Sequence, residues 1–115
     1  MSETVEQTLN VYQGADKGYK LTLTLDGVAW SIAGATLVRV AVKRDLSDAA
    51  ALFSVTILSS DAGNNWSGGI VVFWISAAQA KLLVGDGHWD LKFTLSGKRR
   101  CPVAGPVLLQ RQVDD

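Results

Sequence analysis

Residues 69–97, GIVVFWISAAQAKLLVGDGHWDLKFTLSG, carry the pattern that decides the fold class. Ile70 to Ile75 is a run of apolar, largely β-branched and aromatic residues, which suits a strand. Ser76 then stands as an N-cap, with Gln79 three positions on as its capping-box partner. Ala77, Ala78, Ala80, Leu82 and Leu83 predict a short helix over about 76–83, which Gly85 stops. Beyond Gly87 the period becomes two. Trp89, Leu91, Phe93 and Leu95 point one way, and His88, Asp90, Lys92, Thr94 and Ser96 the other. The pattern is a central pair of strands joined by a helical cap across the end of a barrel or sandwich.

Working outward, the same alternation recurs. Tyr19, Leu21, Leu23 and Leu25 form one inward set, and Val38, Val40 and Val42 a second, with Arg39 and Lys43 facing out. Phe53, Val55 and Ile57 form a third, while Ile32 plugs the core from a link between strands. Asp26-Gly27 marks a turn, and 60–65 is a polar loop. Gly97 to Pro102 reads as a basic connection, so that Pro106 opens a last strand over Val107–Val113. Residues 1–8 are polar and predicted to be a flexible N-terminus, leaving 9–115 as a single domain. About seven short strands with turn signals between them predict an all-β fold, an antiparallel immunoglobulin-like sandwich with one short helix.

Composition narrows the function classes. Hydrophobic residues make up 48% and charged residues 19%, with 11 basic and 11 acidic side chains balancing to zero. A neutral chain has no general attraction for nucleic acid or anionic membrane, so neither is expected as a partner. No apolar run approaches the roughly 18 residues of a membrane span. The opening MSETVEQTLN lacks a secretory signal's apolar core, and the lone cysteine, Cys101, forms no intrachain disulfide, so synthesis in the cytoplasm is expected.

Catalysis requires titratable groups gathered in one place, and the sequence offers few. His88 sits on the polar side of its strand. Cys101 has no nucleophile signature, and one His with one Cys falls short of the usual zinc sets. Asp61, Asn64 and Asn65 are rich in oxygen but off the EF-hand spacing, and turn formation explains them. The expectation is no enzyme, no metal and no cofactor. Two surface readings remain. Ile70–Ile75 is apolar on both parities, so either the helical cap or another subunit covers its second face; Val71, Phe73 and Ile75 are the predicted interface. Alternatively, Trp30 and Trp66 near turns serve a carbohydrate-binding or adhesive module, with Trp74 and Trp89 in the core. A small-molecule or glycan ligand is the weaker of these expectations.

The order of signals also resembles a known family. Tyr12-Gln13-Gly14-Ala15-Asp16 precedes a Leu-Thr-Leu-Thr strand, and Ile32-Ala33-Gly34-Ala35-Thr36 leads into Val40-Ala41-Val42-Lys43-Arg44. Gly69-Ile70, Ile75-Ser76-Ala77-Ala78-Gln79, Leu82-Leu83, a glycine turn and Trp89-Asp90-Leu91 follow, and Pro106-Val107-Leu108-Leu109 closes the series. This resembles small β-sandwich domains of tailed phages and prophages, including the N-terminal domains of baseplate upper proteins. Ser31-Ile32-Ala33-Gly34 departs from that family's Asp-Leu-Thr-Gly link, and Val84-Gly85-Asp86-Gly87 lacks its proline. The resemblance implies a structural protein of a virion, tail or baseplate associated. Its partners would be copies of itself and other virion proteins, and it brings no catalytic residues.

Overall fold

The computed structural model describes residues 5–25, 27–45 and 50–110. In chain order these form β1 (Val5–Glu6), β2 (Leu9–Tyr12), β3 (Lys17–Thr22), β4 (Thr24–Leu25), β5 (Val28–Ala29), β6 (Thr36–Lys43) and β7 (Phe53–Thr56). A single 3₁₀ turn (Trp66–Gly68) precedes β8 (Ile70–Ile75), α1 (Ala77–Ala80), β9 (Gly87–Leu95) and β10 (Lys98–Gln110). Among the described residues the protein is all-β apart from these two short turns of helix. Seven of the strands have four residues or more, as the alternating segments predict.

The largest sheet runs β1–β10–β9–β6–β7, with β2 also on β10, while β3 pairs with β8 and β4 with β5. Hydrophobic alternation accounts for which sides meet. Val38, Val40 and Val42 of β6, and Trp89, Leu91 and Phe93 of β9, face Leu21 of β3 and Val71, Phe73 and Ile75 of β8 in one core. Ile32 is fully buried among them, as its position between strands implies. Leu25 departs from its predicted inward set. It pairs with Val28 in the small β4–β5 ladder and is exposed.

The first and last of these strands lie side by side. Val5 pairs in parallel with Val103 and Leu9 with Val107, a constant offset of 98 residues on both sides of the break. β1 and β2 therefore follow a single line along β10, interrupted opposite Gly105-Pro106. Pro106 has no N–H to give the ladder, and a Cβ at Gly105 would lie 2.1 Å from the Gln7 carbonyl oxygen. The ladder thus begins before Leu9, inside the stretch predicted to be a flexible tail, with the Gln7 N–H donating to Ala104 O at 3.0 Å.

Two other boundaries move. Lys98, Arg99 and Arg100, predicted as a connection, are the first residues of β10, which turns back from β9 through Ser96 and Gly97, both at positive φ. Pro102 ends no strand because it sits in a one-residue bulge between Arg100 and Val103. The predicted end of that strand, at Val113, lies outside the described residues. The helix is shorter than 76–83: the regular turn spans Ala77–Ala80, and Leu82 and Leu83 continue it through tighter bonds to Gln79 and Ala80. Its capping box is present, with Gln79 N–H donating to Ser76 Oγ (3.1 Å) and Ser76 N–H to Gln79 Oε1 (3.0 Å).

Candidate functional site

β8 is the strand whose second face required a cover, and its two parities have opposite fates. Val71, Phe73 and Ile75 are buried in the chain's own core. The Phe73 ring stacks on Tyr19 at 5.2 Å between centroids and lies 6.4 Å from Trp89. These residues are therefore core, which corrects their assignment as an interface. The outward set is Ile70, Val72 and Trp74. Two apolar parities look alike in sequence, and nothing within the strand says which one meets the opposite sheet.

Among the described residues, neither the helix nor a regular layer covers the outward set. α1 closes the end of the fold, where the Asp16 carboxylate accepts the Ala77 N–H at 2.7 Å and Ala80 is buried. The 60–65 loop lies over Val72 instead. Asn64 Oδ1 accepts the Val72 N–H at 3.0 Å, and its Nδ2 donates to Val72 O at 3.0 Å, so one side-chain amide replaces a neighbouring strand. Trp74 remains open. It pairs across the ladder with Gly18, and a Cβ on Gly18 would lie 2.8 Å from Trp74 Cε2. The indole thus rests against the glycine backbone and is 61% exposed.

The tryptophans proposed as ligand-binding are committed elsewhere. Trp66 donates through Nε1 to Asn64 Oδ1 at 3.0 Å, and its carbonyl accepts the Ile32 N–H. Trp30 stands edge-on to Phe93 with centroids 5.6 Å apart, and the Arg100 guanidinium carbon lies 5.9 Å from its ring centre. Both are half-buried and pack against the core. Trp89 is core as predicted, with Nε1 donating to Gln7 O at 2.9 Å, whereas Trp74, predicted in the core, is the exposed one.

The polar candidates are also engaged. Asp61 Oδ2 accepts the Leu58 N–H at 2.9 Å, and Asn65 Oδ1 accepts from the Ser67 hydroxyl at 2.9 Å, the turn chemistry anticipated for this loop. Cys101 Sγ lies 3.7 Å from Val103 O within the β10 bulge. The Tyr19 hydroxyl donates to Asn10 O, and burial, followed by the nearby Tyr12, pushes its pKa up to about 12. Among the described residues, no three His, Cys, Asp or Glu side chains converge as metal ligands.

The outer face of the largest sheet holds the remaining feature. There β6 and β9 set Lys43 opposite His88, Ala41 opposite Asp90, and Arg39 opposite Lys92. Asp90 lies 3.6 Å from Lys92 and also pairs with Ala104 of β10. Small side chains in the middle of this face leave two adjoining hollows, of about 510 and 390 Å³, that share Ala41, Lys43 and Asp90. Alternation had put His88, Asp90, Lys92, Arg39 and Lys43 outward; their alignment across strands depends on register, which a single sequence does not contain.

No family model matches the chain, and no curated protein matches it. Among the described residues, no helix is long and apolar enough to cross a membrane.

Proposed function

We propose that this chain is a non-enzymatic structural protein of a phage or prophage virion, tail or baseplate associated, with an immunoglobulin-like sandwich as its fold. The strand order supports the sandwich. A long sheet carrying β10, β9, β6 and β7 faces the β3–β8 pair across one core, and the N-terminal strand runs parallel to the last. Assembly proceeds through β surfaces, with copies of the chain and with neighbouring virion proteins. It needs no substrate turnover.

One observation carries the assembly reading. Trp74 is a large apolar side chain held flat on Gly18 and left 61% exposed beside half-buried Ile70 and Val72. Tryptophan is enriched among residues that dominate binding energy in protein interfaces, and a ring already held in place loses little entropy on contact. The same open ring keeps a glycan as the second reading, now at Trp74 rather than Trp30 and Trp66.

Light scattering behind size exclusion tests the proposal. The expected result is a closed oligomer whose mass falls toward that of a monomer in Trp74→Arg, with an unchanged circular dichroism spectrum. A monomer at every concentration would remove self-assembly, and glycan-array binding abolished by Trp74→Ala would replace it. Cosedimentation with induced phage particles tests the virion assignment separately.

A further inference from the structure

The outer face of the largest sheet has an electrostatic arrangement that the fold does not require. Arg39 and Lys92 stand directly opposite each other on β6 and β9. Like charges in registered cross-strand positions destabilise a sheet. Arg99 lines the same hollow, its guanidinium donating to Leu37 O at 3.1 Å and Thr94 Oγ1 at 3.3 Å. Lys43 lines it too and makes an interaction of its own. Against these cations, among the described residues one acid lines the hollow, Asp90, which is already 3.6 Å from Lys92. A chain with no net charge has thus gathered basic groups over a depression of about 390 Å³.

The depression continues into the larger hollow, whose character differs. Ala41, Ala104, Gly105 and Pro106 give it apolar walls, Trp89, His88 and Glu6 line it too, and Lys43 and Asp90 are shared with the basic hollow. The whole trough is therefore basic at one end and apolar at the other. We infer that it receives an acidic segment of a partner protein, its carboxylates meeting Arg39 and Lys92 and an apolar side chain lying over Ala104 and Pro106. Charge complementarity selects the partner: carboxylates between Arg39 and Lys92 relieve the repulsion present in the free protein. Single-stranded nucleic acid fits less well, because such sites stack bases on open aromatic rings and the one aromatic residue beside the apolar end, Trp89, is buried. Trp74 belongs to the opposite sheet, so this inference stands or falls independently of self-assembly.

The experiment is fluorescence anisotropy with a short fluorescein-labelled peptide of alternating glutamate and leucine, at low and moderate salt. The wild-type protein should bind it, more weakly as salt rises, and a lysine–leucine peptide should not bind. Arg39→Glu should weaken binding by at least about tenfold while holding or raising the melting temperature, since it turns a like-charge pair into an opposite one. Lys92→Gln, which alters no buried group, should also weaken it and gives the answer if Arg39→Glu folds poorly. Failure of the wild type to bind at low salt, unchanged affinity in Lys92→Gln, or displacement of the peptide by oligothymidylate would each overturn the inference.

Discussion

β8 and β9 are both core strands, yet they fix their orientation by different means. β9 alternates, so that Trp89, Leu91 and Phe93 turn inward and Asp90 and Lys92 outward because exchanging them would bury charge. β8 has no polar residue to enforce a choice. Its orientation comes from its surroundings: Tyr19 stacks on Phe73, Gly18 leaves room for Trp74, and Asn64 holds Val72 by both backbone groups. Where a strand's own pattern is silent, other segments supply the information.

The sharpest test of that contrast lies between neighbours on β8. Phe73→Ala removes a buried ring with two aromatic neighbours and should destabilise the fold by about 3–5 kcal/mol, measured by denaturant unfolding. Trp74→Ala, one residue along, should change monomer stability by no more than about 0.5 kcal/mol while lowering the oligomer mass. Equal losses at both positions would show that the outward face of β8 is as structural as the inward one.

That contrast also marks what the sequence disclosed. Val38, Val40, Val42, Leu91 and Phe93 were legible as core because alternation is a local signal, and the Ser76–Gln79 capping box because its spacing is fixed by one helical turn. Three features were not. Pro102 read as the end of a connection and Pro106 as the start of a strand, whereas a bulge and a gap in the parallel ladder accommodate them inside β10. The choice between 71/73/75 and 70/72/74 depends on Gly18 and Asn64, ordinary turn and strand residues until the chain is folded. The basic trough required register as well as parity. A bulge at Leu37, held at a positive φ of 54°, shifts β6 by one residue before Arg39 meets Lys92.

Asn64 offers the next largest effect. Its Oδ1 accepts from Val72 N–H and Trp66 Nε1, while Nδ2 reaches Val72 O and Asp61 O. Asn64→Asp keeps the acceptors but turns a carboxylate oxygen toward two carbonyls. The expected loss is about 1–3 kcal/mol near neutral pH, shrinking as acid protonates the carboxyl and restores one donor. A pH-independent loss would mean that the amide's donor role is minor. Smaller still, Gly18→Ala meets only the indole of Trp74, an exposed side chain that can swing away, so stability should fall by about 1 kcal/mol or less. The change to follow is a red shift in tryptophan emission as the Trp74 indole leaves the strand.

Tyr19 gives the smallest effect, visible only in base, and it reports on the inward face of β8 through the ring stacked on Phe73. Burial, with Tyr12 adding to it, raises the hydroxyl's pKa from 10.0 to about 12 in the folded protein. Below the unfolded value the group is protonated in both states, and its contribution is fully present. As pH climbs from about 10 toward 12 the unfolded chain releases this proton while the native state retains it, so stability declines across that window; beyond the folded pKa the contribution is lost. The native state retains the proton because burial disfavours the charged phenolate, with Tyr12 adding to the effect. Tyr19→Phe has nothing to ionise there, so its stability should fall less steeply than the wild type's between pH 10 and 12. Parallel profiles would place Tyr19 in water in the native state and remove the stacking that orients Phe73.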